Sequence, residues 1–204
     1  MGDGHGCLRA TMTSRQDKRL IRRLKQRDEQ AFRTVVTRYQ HKVYNLVYRM
    51  LGDPHEAEDV AQEVFITVLK NIDSFRGDAQ FSTWLFRIAV NHSKNRIKFL
   101  KRRAAGRTHH IEDVPEGAVT HNPFGAAIAG PDTQAMGHQL EGVIQRALAR
   151  LDPEHREMVI LRDVQNLSYQ EIQEITGLGL GTVKSRIHRA RVALKEEVST
   201  QYDD

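Results

Sequence analysis

The chain has 204 residues, of which 39% are hydrophobic, and it carries a formal net charge of +5. This length suits one large domain or two small ones. No apolar run approaches the roughly 20 residues that a membrane-spanning helix needs. The single cysteine, Cys7, cannot form an internal disulfide, and no signal peptide is recognisable. We therefore expect a cytoplasmic protein in a reducing compartment.

Charge is unevenly distributed along the chain. Residues 15–103 hold 20 basic and 10 acidic side chains, whereas residues 104–138 hold one basic and four acidic ones. Residues 139–200 are balanced overall, yet residues 181–200 carry five basic side chains against two acidic ones. This distribution predicts two separate surfaces for a polyanion, one in each half of the chain.

The N-terminal block, about residues 15–103, has almost no strand signature and is predicted to be helical. Apolar side chains recur at helical spacing from Phe32 to Met50. Pro54 follows a Gly-Asp break and suits the first turn of a helix. Residues 1–14, with a second methionine at Met12, are expected to be a disordered extension. The predicted helices cover about residues 17–25, 28–51, 54–72 and 81–103, with a loop at 73–80.

The predicted fourth helix contains no acidic residue between 81 and 103. Five of its polar side chains are spaced 4, 3, 4 and 3 residues apart and so share one face; this basic stripe consists of Arg87, Asn91, Lys94, Lys98 and Lys101. Such a stripe neutralises phosphates, and an asparagine within it can hydrogen-bond a base edge. A basic track beside aromatic side chains is typical of single-strand binding. The alternatives are a solubilising surface for the stripe and core packing for Trp84.

Residues 104–138 contain three prolines and five glycines and show no helical periodicity. This composition predicts a flexible, acidic linker. It is followed by a second block, residues 139–199, with predicted helices near 139–150, 153–164, 168–176 and 181–197. The predicted fold class is therefore all-α, with two small helical domains joined by a linker.

The last two predicted helices form a helix-turn-helix. Ser168 and Glu171 have the spacing of a capping box. A glycine turn is predicted from Gly177, Gly179 and Gly181. The following helix has one apolar stripe, formed by Val183, Ile187, Ala190 and Leu194. Its outward side chains are Lys184, Ser185, His188, Arg189 and Arg191. This pattern predicts a helix that enters the major groove of duplex DNA.

No cofactor or metal site is predicted. The His109-His110 pair lacks further ligands at zinc spacing. No Gly-rich phosphate loop follows a strand, and no Asp, Glu, His or Ser grouping has the pattern of a catalytic site. We therefore expect that the protein is not an enzyme.

Four segments together resemble one family. They are Asp59–Phe65 (DVAQEVF), Phe81–Asn91 (FSTWLFRIAVN), Leu151–Arg156 (LDPEHR) and Ser168 with Gly181–Arg191 (GTVKSRIHRAR). In this order and spacing they are similar to bacterial sigma factors of the extracytoplasmic-function group, especially the envelope-stress, RpoE-like members. The resemblance covers about residues 15–103 and 139–197. It implies a transcription initiation factor of a stress response, with sigma region 2 and sigma region 4 joined by the linker.

The resemblance also implies roles for individual residues. The third helix would dock on the RNA polymerase core through Asp59, Gln62, Glu63 and Phe65, although from the residues alone its acidic cluster is a solvated face. The loop and fourth helix would capture the melted strand of the −10 element through Phe75, Arg76, Phe81, Trp84, Asn91, Lys94, Asn95 and Lys98. Region 4 would read the −35 duplex with base or groove contacts from Lys184, Ser185, His188 and Arg189 and phosphate contacts from Thr182 and Arg186.

The implied partners are RNA polymerase core, promoter DNA and an anti-sigma factor, with no small-molecule substrate. A membrane-anchored anti-sigma factor would hold the protein at the inner face of the membrane. The acidic linker would thread toward the polymerase active-site cleft. Two other functions are weighed against this one. A stand-alone helix-turn-helix regulator leaves the N-terminal block without a purpose. A recombinase would need a nucleophilic Ser or Tyr among arginines, whereas Tyr39, Tyr44 and Tyr48 lie at helical spacing.

Overall fold

The computed structural model describes residues 15–105 and 131–200, with side chains described for 18–105 and 141–200. Helices account for most of these residues, and no strand occurs among them, which confirms the predicted all-α class. The helices are α1 (Arg15–Lys25), α2 (Glu29–Leu51), α3 (Pro54–Asn71), α4 (Phe81–Ala105), α5 (Pro131–Arg150), α6 (Pro153–Val159), α7 (Tyr169–Thr176) and α8 (Leu180–Thr200). We call α1–α4 the N-terminal bundle and α5–α8 the C-terminal bundle.

Local capping groups lie at the boundaries of the N-terminal bundle, and these boundaries are close to the predicted ones. The Asp28 carboxylate accepts a hydrogen bond from the Ala31 amide at 3.0 Å and starts α2. Gly52 ends the same helix in the left-handed conformation, with φ of 83°. Pro54 then opens α3, and a short 3₁₀ turn, Ile72–Ser74, follows that helix. The core of this bundle comes from the apolar faces of α2, α3 and α4, which pack against one another.

The start of the C-terminal bundle differs from the prediction. Helix α5 begins at Pro131, eight residues before the expected start at 139, so the end of the predicted linker is helical. Prolines and glycines favour a linker in sequence, but proline is also favoured in the first turn of a helix, where its missing N–H would have no intrahelical partner. The linker also begins later than predicted, because α4 extends to Ala105. Residues 106–130 lie outside the described residues, as do residues 1–14.

The helix predicted over residues 153–164 changes character halfway. Regular α-helix ends at Val159, and one π-helical turn covers Ile160–Val164. Its widened ring is closed by the Gln165 amide, which donates to the Ile160 carbonyl at 2.9 Å. Asn166 follows with a positive φ of 55° and leads the chain toward α7. Apolar periodicity does not distinguish an α turn from a π turn, so this difference could not be predicted.

The predicted capping box is present at the start of α7. The Ser168 amide donates to the Glu171 carboxylate at 2.7 Å, and the Glu171 amide donates to the Ser168 hydroxyl at 3.2 Å. Gly177 ends α7 with φ of 73°. The glycine turn is nevertheless shorter than predicted. Of the three glycines, only Gly177 has a left-handed φ, and Gly181 lies inside the first turn of α8.

The two bundles pack against each other. Buried apolar side chains of both bundles form one continuous cluster. Helix α4 contacts α7, while α2 contacts α5 and α6. The sequence predicts two small domains joined by a linker, and the structure adds that these domains contact each other directly.

The capping box gives a stability prediction. Ser168→Ala removes the acceptor for the Glu171 amide and should lower the free energy of unfolding by about 1 kcal/mol, measured by urea denaturation followed by circular dichroism. Ser168→Asp keeps an acceptor at this position and should stay close to the wild type. Equal losses in the two variants would contradict a capping role for the hydroxyl.

Candidate nucleic-acid interface

The basic stripe of α4 forms a surface in the structure. Asn91, Lys98 and Lys101 are exposed, while Arg87 and Lys94 are half-buried. Asn95, also predicted to contact DNA, is exposed beside the stripe. The opposite side of α4 is buried, with Leu85, Ala89 and Val90 in the core. Core packing therefore fixes which side of α4 carries the cationic and amide groups.

An aromatic cluster joins the loop at 75–80 to the beginning of α4. The ring centroids of Phe75 and Trp84 are 5.3 Å apart, and those of Phe75 and Phe81 are 5.6 Å apart. Tyr39 of α2 packs against Phe81 at 5.8 Å. Phe75 is 5% exposed and Phe81 is 1% exposed. The structure therefore corrects the contacts expected of these two phenylalanines, because buried rings support the loop and cannot present a face to a base. Trp84 is partly buried in the same cluster.

The loop is also anchored from the turn between α1 and α2. The Lys25 ammonium donates to the Phe75 carbonyl at 2.8 Å. Arg27 pairs with Asp73 at 2.6 Å and donates to the Leu69 carbonyl. Arg27 has a positive φ of 60°, which is unusual for a residue other than glycine. Sequence reasoning missed both cations, since no periodicity or motif relates them to a loop about 50 residues away. Between these anchors and α4, Arg76 is exposed.

The outward face of α8 agrees with the helix-turn-helix pattern. Val183, Ile187 and Ala190 are buried, which leaves the opposite side of the helix exposed. The exposed predicted contacts are Thr182, Lys184, Ser185, His188 and Arg189. Because α8 begins at Leu180, Thr182 lies in its first turn, where backbone N–H groups also point outward. The arrangement presents polar and basic side chains on the exposed side of one helix, and the major groove admits an α-helix.

Some cations of α8 already have partners in the C-terminal bundle. Arg186 is half-buried and pairs with Glu154 of α6 at 2.6 Å. Arg191 forms a two-point ion pair with Asp163, which raises the pKa of its guanidinium. The Lys184 ammonium lies 5.9 Å from the ring centroid of Tyr169. Exposed ion pairs contribute only about 0–1 kcal/mol each, so a phosphate can replace such a carboxylate at little cost.

The acidic face of α3 is formed by Asp59, Gln62 and Glu63. Asp59, Gln62 and Glu63 are exposed, but Phe65 is buried in the core. The structure thus corrects the surface role expected of Phe65, because its side chain is buried. The side chain one residue later, Ile66, points outward instead and is 50% exposed. Ile66 lies four residues after Gln62 and seven after Asp59, a helical spacing that could have identified it.

Contacts from α4 hold the acidic face in place. Arg96 pairs with Glu63 at 2.9 Å and with Glu56 at 2.9 Å. The His92 ring lies 3.4 Å from Glu63 and 3.0 Å from the Thr67 hydroxyl. The acidic face of α3 and the basic stripe of α4 are therefore borne by two helices that are fixed to each other by ion pairs.

The described residues contain neither a candidate metal-binding cluster nor a candidate membrane-spanning helix. Among residues 18–105 and 141–200, whose side chains are described, no cluster of three or more His, Cys, Asp or Glu side chains could hold a metal ion. The His109-His110 pair lies outside those residues. No helix within the same ranges is long and apolar enough to cross a bilayer.

Comparison with known proteins assigns both bundles. The family model described as Sigma-70 region 2 matches residues 35–113, and the model described as Sigma-70, region 4 matches residues 141–194. The ECF RNA polymerase sigma factor SigW of Bacillus subtilis is 38% identical over 187 residues, which cover 89% of this chain and 96% of that protein. The ECF RNA polymerase sigma-E factor of Escherichia coli K12 is 38% identical over 185 residues, covering 89% and 94% of the two chains.

Solved structures share the fold. RpoE from Bartonella quintana, in complex with the anti-sigma factor NepR, matches with a TM-score of 0.64 at 22% identity and covers 82% of this chain and 96% of its own. CnrH, in complex with the cytosolic domain of CnrY, matches with a TM-score of 0.64 at 23% identity and covers 90% and 97%. The overall fold is therefore shared with these two proteins.

Proposed function

The chain belongs to the extracytoplasmic-function sigma factors of bacterial RNA polymerase, and we propose how its exposed residues divide promoter recognition between the two bundles. As a member of this family it directs RNA polymerase core to promoters in transcription initiation and is not a stand-alone helix-turn-helix regulator. The observation that carries the proposal is the presence of two exposed cationic surfaces on separate bundles, one on α4 and one on α8.

The surface of α8 reads paired DNA at the −35 element. Lys184, Ser185, His188 and Arg189 project from one exposed face and can donate to base edges in the major groove. Thr182 and Arg186 lie near the start of the helix and contact phosphates, and Arg186 exchanges Glu154 for a phosphate oxygen. Duplex recognition thus supplies position and affinity.

The surface of α4 holds an unpaired strand of the −10 element. Asn91 and Asn95 offer amides for base edges, while Lys94 and Lys98 follow the phosphates. Arg76 reaches the strand from the loop, and Phe75, Phe81 and Trp84 keep that loop in place through their ring contacts. Each stacked or captured base lowers the free energy of the melted state by about 1–3 kcal/mol. Promoter opening then needs no nucleotide hydrolysis by this chain.

The acidic face of α3 docks on RNA polymerase core. Asp59, Gln62 and Glu63 are exposed there, and Ile66 adds an apolar contact among them. Interfaces of this kind combine an apolar centre with a polar rim. Phe65 supports the face from the core.

Regulation and location follow from the family. Sigma factors are transcription factors and not enzymes, and this chain has no catalytic role of its own. The neighbours RpoE and CnrH were solved as complexes with NepR and CnrY, which supports an anti-sigma factor as a partner here. The protein acts in the cytoplasm, and a membrane-anchored anti-sigma factor would hold it at the inner face of the membrane until a stress signal arrives.

The duplex surface can be tested with Lys184→Ala combined with Arg189→Ala. Loss of two base contacts of about 1–3 kcal/mol each should abolish initiation at specific start sites, mapped by sequencing RNA 5′ ends made on genomic DNA with purified core. Binding to core should be unchanged in gel filtration. Lys195→Ala, an exposed cation farther along α8, is the control. Parallel loss of core binding would contradict the division between bundles.

Strand capture can be tested with Asn91→Ala. Because this amide contacts only the melted strand, transcription should fall less on a template with an unpaired bubble across the −10 region than on the fully paired template. Asn45→Ala, an exposed amide on α2, serves as the matched control. The ratio of transcripts from the two templates is the measurement, and an unchanged ratio would count against capture by α4.

Docking on polymerase can be tested with Asp59→Ala combined with Gln62→Ala. Removal of two exposed polar contacts should weaken core binding about tenfold, measured by fluorescence titration of labelled protein with core. Glu29→Ala combined with Gln30→Ala removes an exposed acid and amide from the start of α2 and should leave the affinity unchanged. Similar affinities of the two double variants would place the docking surface elsewhere.

A further inference from the structure

The C-terminal bundle covers part of the basic stripe. The Lys94 ammonium of α4 lies 2.7 Å from a carboxylate oxygen of Glu157, which belongs to α6. About two helical turns earlier, the Arg87 guanidinium donates to the backbone carbonyl of Glu174 near the end of α7. Two of the five side chains in the stripe are therefore occupied by oxygens of the other bundle.

Glu157 is an unusual partner for a lysine at a DNA-binding surface. Its side chain is only 5% exposed, whereas that of Lys94 is 43% exposed. Its second carboxylate oxygen is buried and has no hydrogen-bond partner among the described residues. Burial raises the pKa of Glu157, and the hydrogen bond from Lys94 opposes this effect. The carboxylate is therefore poorly solvated in this arrangement and offers Lys94 what a DNA phosphate would offer, a negative oxygen at hydrogen-bond distance.

A second set of contacts closes the bundles along α2. The Gln145 amide donates to the Tyr48 carbonyl at 3.3 Å, and the Gln165 amide donates to the Lys42 carbonyl at 3.2 Å. Arg156, next to Glu157, donates to the Met50 carbonyl at 2.9 Å. These bonds use backbone carbonyls of α2, and none of them involves a residue assigned to DNA or polymerase. They position α6 so that Glu157 faces Lys94.

The energetics of this closure favour a reversible contact. A buried ion pair gains little net free energy, because desolvation of the carboxylate offsets its attraction to the ammonium. When the bundles separate, both charges regain water and the unpartnered oxygen is solvated. The closed arrangement can therefore be displaced by a ligand that supplies several phosphates at once, or by a partner that holds the bundles apart.

We propose that the C-terminal bundle is an intramolecular competitor of single-stranded DNA, with Glu157 and the end of α7 occupying Lys94 and Arg87 in the free chain. This inference rests on the proposed role of α4 in strand capture and adds its regulation. Strand capture then requires the two bundles to separate, so the free protein binds single strands weakly and the polymerase-bound protein binds them well.

The test is charge reversal at the contact in the full chain. Glu157→Lys places two ammonium groups together and should separate the bundles. Glu196→Lys makes the same change in net charge at an exposed site near the end of α8 and is the matched control. Three quantities are measured: the radius of gyration by X-ray scattering, the rate of Lys94 acetylation by peptide mass spectrometry, and the affinity for a random-sequence single-stranded DNA 20-mer by fluorescence anisotropy.

Relative to Glu196→Lys, the Glu157→Lys protein should have a larger radius of gyration and faster acetylation at Lys94. Its affinity for the 20-mer should be about tenfold higher, which corresponds to about 1.4 kcal/mol. Circular dichroism establishes that both variants remain helical. Gln145→Ala combined with Gln165→Ala weakens the closure without a change in charge, and it should shift all three quantities in the same direction by a smaller amount.

Equal radii, acetylation rates and affinities in Glu157→Lys and Glu196→Lys would overturn the proposal. Separation of the bundles without a gain in affinity would overturn the inhibitory role. In that event, Lys94→Ala in the Glu157→Lys background tells the two failures apart. If the added Lys94→Ala change lowers the affinity, α4 does bind the strand and only the competition is wrong; if it does not, the proposed role of α4 is wrong as well.

Discussion

The packing of the apolar side of α4 against α2 and α3 is the interaction on which the rest of the structure depends. One side is apolar and packs against α2 and α3, while the other carries the basic stripe, and no acidic residue within the helix offsets its charge. Like charges along a helix repel one another, so this helix owes its stability to burial rather than to its own side-chain pairs. The same burial fixes the direction of the stripe and hence the place where a nucleic-acid strand can lie.

The charges elsewhere on the surface differ in how firmly they are held. On α8 the exposed Lys184 has no ion pair with a described acidic side chain, and the half-buried Arg186 pairs with the exposed carboxylate of Glu154. On α3 the exposed Glu63 is oriented by Arg96 and His92. Surface pairs are weak and exchange readily for phosphates or for groups of a protein partner. A chain that must bind polymerase and two forms of DNA in turn can use such pairs without being locked by them.

Much of the fold could be predicted because its signals are local. The Ser168 cap, the proline at the start of α3 and the apolar period of α8 act within one or two turns, and each one predicted a boundary close to the observed one. The differences arose where distant parts of the chain decide. Helical spacing alone does not say whether Phe75 supports a loop or contacts a ligand, and no local pattern relates Lys25 to that loop. The residues that join the bundles are far apart in the chain. Lys94 and Glu157, for example, are separated by 63 positions, and the spacing of apolar residues does not indicate their contact.

The π-helical turn at Ile160–Val164 has a consequence for comparing sequences of this family. A π turn holds one residue more than an α turn. The residues after it are therefore rotated about the helix axis by roughly 100° relative to their positions in an unbroken α-helix. Gln165 and the start of α7 thereby leave the helix in a different direction from the one that an unbroken helix would give. A homologue that lacks this extra residue would have a straight helix here, and its correct alignment to this chain would require a one-residue gap within 160–164, even where the flanking residues are identical.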